Sequence, residues 1–483
     1  WRRLTVEPAR PAAIRESPNA PWLVVAAVCI GAFMGQLDAS IVVIALPSMQ
    51  VQLHTSLGGV EWVPLAYLLM LVAAVVAVGR FSDMVGRKLI YIYGFGVFVV
   101  GSLLCALAPG LPWLIAFRLV QGLGAAMLQA NSVALIVGAV PREKLGRGIG
   151  IQGAAQALGL SLGPAVGGWL LVLGGWRLIF LVNVPAGLVG MGLGWFLLPR
   201  SHHLAPREPL DWAGMALFVI ATAALLLVLS AGNEWGWDSP ASLACYVVAV
   251  VVGWAFLRTE RRARAPMMRL SLFRRIAFSA GIGSGLLSYL ALFGILFVFP
   301  YYLRFAGHMD PGQAGLRLLA LPLALGVAAP LAGRAADRVG ARPLTVGGML
   351  LVCLVLVAIA LHPTSGSWLL VELVLLGLGL GAFTPPNNAA IMGAAPSQHA
   401  GVASGILNMT RGLGTATGVA VVGLVFGLAT GTSVVHTRSP HLVSSGLVAA
   451  AILLAVCAGL AALVAALRGH SPLTSDPSLV QAA

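Results

Sequence analysis

The sequence predicts an all-α integral membrane protein, built from two six-helix bundles with two inserted transmembrane helices between them. Three observations carry this reading: an apolar composition, a series of long runs almost free of charge, and an internal repeat. Hydrophobic residues make up 59% of the 483 residues and charged residues 9%. The mean hydropathy is +0.95, so the average residue prefers hydrocarbon to water. Apolar runs of about 20 residues, each able to cross a core of roughly 30 Å at about 1.5 Å per helical residue, recur from Pro21 to Leu467. Fourteen are counted, over 22–48, 61–79, 89–108, 112–138, 146–172, 177–198, 211–231, 240–258, 277–300, 313–333, 343–362, 366–389, 398–428 and 444–467. Turn residues such as Pro109-Gly110, Gly174-Gly175 and Pro363-Thr364 separate them. Unbroken runs exclude a barrel, whose strands would alternate.

The repeat sets the architecture. Gly79-Arg80-Phe81-Ser82-Asp83-Met84-Val85-Gly86 is echoed by Gly333-Arg334-Ala335-Ala336-Asp337-Arg338-Val339-Gly340, an offset of 333 − 79 = 254. Gly122-Leu123-Gly124 matches Gly377-Leu378-Gly379, Leu158-Gly159 matches Leu413-Gly414, and Gly163 matches Gly418, each at 255. The same shift carries the first run onto the ninth. The chain therefore divides into a tail (1–20), a six-helix bundle (21–198), two inserted helices with a basic linker (199–276), a second bundle (277–467) and a tail (468–483). Within the linker, Arg258 to Arg275 forms a basic amphipathic stretch expected to lie along the membrane surface. Parallel halves related about the membrane normal are the plan of an alternating-access transporter, with its site between them at mid-membrane.

The net charge of 29 − 15 = +14 follows membrane side and forms no nucleic-acid patch. Arg177, Arg304 and Arg438 fall in loops on one side, Arg317 lies just inside that side, and Arg118 and Arg411 are within spans. The other 29 − 6 = 23 basic residues lie on the opposite face, which the positive-inside rule makes cytoplasmic, with both termini. The first apolar run is too long for a signal peptide and has no small-residue cleavage site. Cys29, Cys105, Cys245, Cys353 and Cys457 all lie in spans without metal-ligand spacing, as reduced packing residues.

Ionisable residues inside spans are few: Asp38, Arg118, Glu372 and Arg411, with Asp83, Asp337 and Arg317 nearer the ends. Each costs about 2.5–3.5 kcal/mol at a helix centre, so it is retained for function or firmly paired. Asp38 and Arg118 lie at similar depths and can pair; a fixed ion pair is the alternative to a working one. Every histidine falls in a loop, tail or span end, so a coupled proton must ride on a carboxylate. Asp38 is the leading candidate and Glu372 the second. Arg118, Gln121, Ala125 and Gln129 share one face of the fourth helix. In the fifth, Gln152, Gln156, Gly159, Gly163 and Gly167 form a stripe along which another helix can approach closely, with Pro164 weakening the ladder. Ser404, Asn408, Arg411, Thr415 and Gly418 are the corresponding stripe of the second half, with Glu372 a counter-ion for Arg411. Phe383, Asn387 and Asn388 are expected to line the same cavity. The turn from Gly79 through Asp83, Gly86 and Arg87 to Lys88, with Asp337 in its second copy, suits a charge latch that holds one conformation. Gly159-Leu160-Ser161-Leu162-Gly163 matches a hydrolase pattern by accident, since no histidine is available to it. No Walker loop, zinc spacing or credible nucleophile supports a receptor or enzyme.

These motifs resemble the major facilitator superfamily, in its fourteen-helix drug:proton antiporter branch of the EmrB/QacA type. The resemblance runs from Leu37 to about Gly423. Leu37 to Pro47 resembles the branch's first-helix motif, and Gly79 to Lys88 the superfamily loop, with Phe81 and Met84 in place of the usual Leu and Arg. Arg118 with Gln121 to Ala126 is similar to the fourth-helix motif associated with proton transfer. Gly159 to Gly168, including Gly163-Pro164 and Gly167-Gly168, matches the antiporter motif. Trp176 to Pro185, Leu210-Asp211-Trp212 and Trp235-Gly236-Trp237 are marks of the fourteen-helix branch. The resemblance implies a monomer in a bacterial plasma membrane, no cofactor beyond the proton motive force, and partners limited to protons, lipids and small amphipathic molecules, often cationic drugs. Export of a lipid or a specific metabolite is the alternative on the same scaffold.

Overall fold

In the computed structural model, residues 7, 10–141, 145–201, 211–263, 266, 270–363, 366–395, 400–431 and 439–468 are described. A short α1 (Ala12–Arg15) precedes the first bundle: α2 (Ala20–Gln52), α3 (Leu57–Val85), α4 (Arg87–Ala106), α5 (Leu111–Ala139), α6 (Leu145–Gly174), α7 (Arg177–Leu181) and α8 (Asn183–Leu197). The inserted pair is α9 (Trp212–Trp235) and α10 (Pro240–Arg262). The second bundle holds α11 (Ile276–Phe305), α12 (Pro311–Leu318), α13 (Ala320–Val339), α14 (Ala341–Leu361), α15 (Ser367–Ala394), α16 (Ala400–Thr430) and α17 (Pro440–Ala466). Fourteen crossings are long and apolar enough to span a membrane, and no strand occurs among the described residues.

Two crossings that the sequence suggests are continuous are each split in two. The sixth breaks at Val182 and the tenth at Leu319. Pro185 and Pro322 sit just past these breaks; each lacks an N–H, so neither can bond the carbonyl four residues earlier. Helix starts are fixed by side chains that take up otherwise orphaned amides. Ser56 accepts from Gly59 N (3.0 Å), Asp211 from Gly214 N (2.8 Å) and Asp310 from Gln313 N (3.0 Å).

The repeat reappears as repeated contacts. A Cβ on Gly122 would strike the Tyr67 carbonyl of α3, and one on Gly377 (122 + 255) would strike the Leu321 carbonyl of α13. Gly124 packs on Phe98 of α4 as Gly379 does on Val352 of α14. Gly159 and Gly163 lie against Phe33 and Ser40 of α2 as Gly414 and Gly418 lie against Leu286 and Leu290 of α11. Without side chains at these points, backbones meet within van der Waals reach, which is where helix association in lipid draws its energy.

The basic ends of the helices, where α2 begins and α3 turns into α4, lie on one side; the other ends are called here the opposite end. There the two halves are pressed together. A Cβ on Gly168 of α6 would strike the Pro311 carbonyl, and one on Gly315 of α12 would strike that of Pro164. Arg304 donates to Ser48 Oγ at 2.7 Å, and the Glu61 carboxylate fills the space left by the missing side chain of Gly423 on α16. Helix α9 packs on both α3 and α16, with Trp62 Nε1 donating to Ser230 Oγ at 2.9 Å, so the inserted pair covers one of the two seams between the halves.

Candidate functional site

The site grows from α2, whose Asp38 is fully buried. Its Oδ2 accepts from Arg118 Nη1 at 2.6 Å, and its Oδ1 accepts from Gln121 Nε2 at 2.8 Å and Asn183 Nδ2 at 2.9 Å. Arg118 and Gln121 are three residues apart on α5 and so share its face. Asn183 opens α8 immediately after the break at Val182, which turns its amide toward α2. Arg118 is itself fully buried: Nε donates to the Val63 carbonyl at 3.0 Å, Nη1 also reaches Gln121 Oε1 at 2.5 Å, and the guanidinium lies over the rings of Tyr67 (4.3 Å) and Phe180 (5.6 Å). Gln121 donates onward to Ser102 Oγ at 2.6 Å. A buried ion pair stands only when its remaining lone pairs and protons are satisfied, and here the carboxylate takes three donors. Arg118 Nη2 and Tyr67 Oη remain without a hydrogen-bond partner.

This network adjoins a small pocket between the halves, lined by Ala39, Val43, Tyr67 and Arg118 from the first and by Phe293, Thr415 and Val419 from the second. Phe293 occupies the repeat position of Asp38 (38 + 255 = 293), so the second half presents a ring where the first presents an acid. These three donors tie α2, through Asp38, to α5 and α8.

Other predicted residues scatter. Gln152 is buried and donates to Ser132 Oγ at 2.9 Å, while Gln129, Gln156, Asn388 and Asn408 are half-buried. Phe383 lies in the apolar core, and Asn387 turns away from the cleft into the second bundle, where Nδ2 donates to the Gly281 carbonyl at 3.1 Å and Oδ1 accepts from Arg468. The expected Glu372–Arg411 pair does not form: both Glu372 carboxylate oxygens lack a hydrogen-bond partner, and Arg411 lies over Tyr289 at 5.7 Å. Glu372 is 5 residues from the opposite end of α15 and Arg411 is 19 from that end of α16, a difference in depth of about 20 Å at about 1.5 Å per residue. The Asp337 and Ser404 side chains lie outside the described residues, as do most of the terminal tails and the middle of the basic linker.

At the basic end, Asp83 pairs with Arg87 at 2.7 Å within its own turn and forms no ion pair with a described residue of the second half. The outward tie is Arg80, which donates to the Pro266 carbonyl at 2.7 Å. A Cβ on Gly79 would make only an ordinary van der Waals contact, with Ala130 Cβ at 3.8 Å, whereas Gly86 adopts φ +127°, a conformation that favours glycine, with Glu7 where a Cβ would be. An exposed i,i+4 pair is worth about 0.3–0.5 kcal/mol, so Asp83→Asn is expected to leave the melting temperature of the purified protein unchanged within error. Of the antiporter-motif residues, Gly159, Gly163 and Gly167 hold α6 against α2, Pro164 and Gly168 face the second half, and Gly163 lies against Ser40, two residues from Asp38.

Sequence reading missed four parts of this geometry. Asn183 and Ser102 were one amide and one hydroxyl among many; the break before Pro185 was the available signal for the first. Tyr67 carries no polar periodicity. Glu61 fell at the edge of an apolar run, but the Ser56 cap starts α3 four residues earlier and buries the acid.

Two helical bundles meeting around buried charge, fourteen crossings in all, define a polytopic membrane transporter. The chain belongs to the major facilitator superfamily, whose profile matches residues 28–283 and again 281–477. It is 32% identical to the riboflavin transporter RibZ of Clostridioides difficile (strain 630), over 84% of this chain and 88% of that protein. It is 34% identical to the multidrug resistance protein Stp of Mycobacterium tuberculosis (strain ATCC 25618 / H37Rv), over 87% of this chain and 78% of that one. The fold is similar to a bacterial homologue of the human lysosomal transporter Spinster, solved inward-facing and unoccupied, with a TM-score of 0.68 at 15% identity, over 93% and 97% of the two chains.

Proposed function

We propose that the protein is a proton-coupled antiporter that exports lipophilic, cationic drugs or related amphipathic compounds by alternating access. It sits in a bacterial inner membrane, with its basic end in the cytoplasm. The observation that carries this reading is the buried Asp38–Arg118 pair, beside the pocket between the halves and bonded to three helices of the first. Asp38 is the proton carrier, and Arg118 with Gln121 and Asn183 sets when it binds and releases. Each charge moved through 100 mV is worth about 2.3 kcal/mol, and a pH gradient adds to this. Stp, at 34% identity, bears a name that supports drug export.

The test uses purified protein in liposomes with ethidium as the lipophilic cation. Movement driven by an imposed pH gradient and abolished by a protonophore is expected; movement indifferent to both refutes the coupling. Glu372→Gln is expected to weaken cation transport several-fold while proton-driven exchange persists, because Glu372 is a buried acid whose carboxylate oxygens have no hydrogen-bond partner among the described residues. A second reading, transport of a specific metabolite, is supported by the 32% identity to a protein named as a riboflavin transporter, RibZ. Riboflavin carried in place of ethidium in the same liposomes would establish it.

A further inference from the structure

At the basic end of α10, Trp254, Leu257, Arg258, Arg261 and Arg262 line a half-open groove of about 370 Å³, within the ~300–1,000 Å³ range of small-ligand sites. Its floor is apolar: Trp254 is 60% exposed and Leu257 44%. Its rim is cationic, with three guanidiniums at i, i+3 and i+4. Like charges at those spacings repel on a helix. None of the three forms an ion pair or hydrogen bond with another described residue, and Arg258 is held over the Trp254 ring at 5.2 Å. The groove continues into the exposed apolar face of α10, where Leu243, Val247, Val250 and Val251 point away from the bundle. A ligand that suits both parts carries a negative head and an apolar tail.

We propose that this groove is a binding site for one anionic phospholipid of the adjacent leaflet. Its phosphate sits between Arg258, Arg261 and Arg262, and its acyl chain runs over Leu257 and Trp254 along α10. The lipid supplies a counter-charge to three arginines that pair with no other described residue, since Glu260 in the same turn is buried and makes no ion pair with them. A basic side chain snorkelling singly would need no shared apolar floor, whereas these three converge on one.

The test is native mass spectrometry of the full protein released from nanodiscs of phosphatidylglycerol and phosphatidylcholine. One phosphatidylglycerol retained in preference to phosphatidylcholine is expected. Since each surface arginine contributes about fivefold, the Arg258→Gln/Arg261→Gln/Arg262→Gln variant is expected to weaken retention about 100-fold. These side chains are exposed, so the variant folds. Arg274→Gln/Arg334→Gln/Arg338→Gln removes the same charge from the same end and is expected to change nothing. Equal loss in both variants would reduce the effect to general surface charge and overturn the site. Retention unchanged by the first variant would overturn it too. Displacement of the lipid by millimolar inorganic phosphate would show a soluble-anion site, and a dimer free of bound lipid would show that a second copy covers the face; either result refutes the lipid.

Discussion

Asp38→Asn is expected to abolish pH-driven transport and also to lower the stability of the purified protein. The second effect separates two roles that one variant alone would confuse. An asparagine keeps an oxygen for Gln121 Nε2 and Asn183 Nδ2, but its amide faces Arg118 Nη1 donor to donor. Arg118 is then a buried cation without a counter-charge, which costs about 3–5 kcal/mol. Removing that charge as well, in Asp38→Asn/Arg118→Gln, relieves the penalty, because replacing a whole buried pair by neutral groups is close to neutral in stability. The double variant is therefore expected to recover the melting temperature in detergent while remaining inactive under a pH gradient. Recovery of both would mean that the pair only holds the fold. Proton-driven transport surviving in Asp38→Asn would move the carrier role elsewhere, with Glu372 next to test.

The elements that the sequence made legible are those governed by one-dimensional rules. Bilayer thickness dictates run length, so all fourteen crossings could be found. The 255-residue offset pairs glycines whose close contacts the fold then repeats, Gly122 with Gly377 and Gly163 with Gly418, because equivalent positions in the two halves present the same helix face to the same neighbour. Asp38 and Arg118 could be paired by depth for the same reason. What depends on rotation about a helix axis was less readable. Asn387 has the polarity of a cavity residue but faces Arg468, and Glu372 has the charge to pair with Arg411 but the wrong height. Asn183 becomes a ligand of Asp38 only through the break at Val182, a three-dimensional event that proline hinted at but did not locate.

Gly163→Ala is expected to disable the protein through packing alone, with no charge touched. A Cβ at this position would strike Ser40 Oγ, lie 2.7 Å from Ser40 Cβ and 2.9 Å from the Ile41 amide nitrogen, so α2 and α6 must part. Overpacking of this kind costs about 1–3 kcal/mol. The larger consequence is positional. Ser40 lies two residues beyond Asp38 on α2, and a shift of α2 pulls the carboxylate from donors fixed on α5 and α8. In positioned sites, misplacement by about 1 Å acts on the order of 10²-fold, and a transport loss on that scale is expected in liposomes. Ser40→Gly in the same chain removes two of the three close atoms, and partial recovery of rate is expected from the double variant. The comparison with Gly153→Ala is decisive, because Gly153 lies on the same helix with open space beside it. If Gly153→Ala and Gly163→Ala slowed transport equally, α6 would matter for its flexibility and not for its contact with α2.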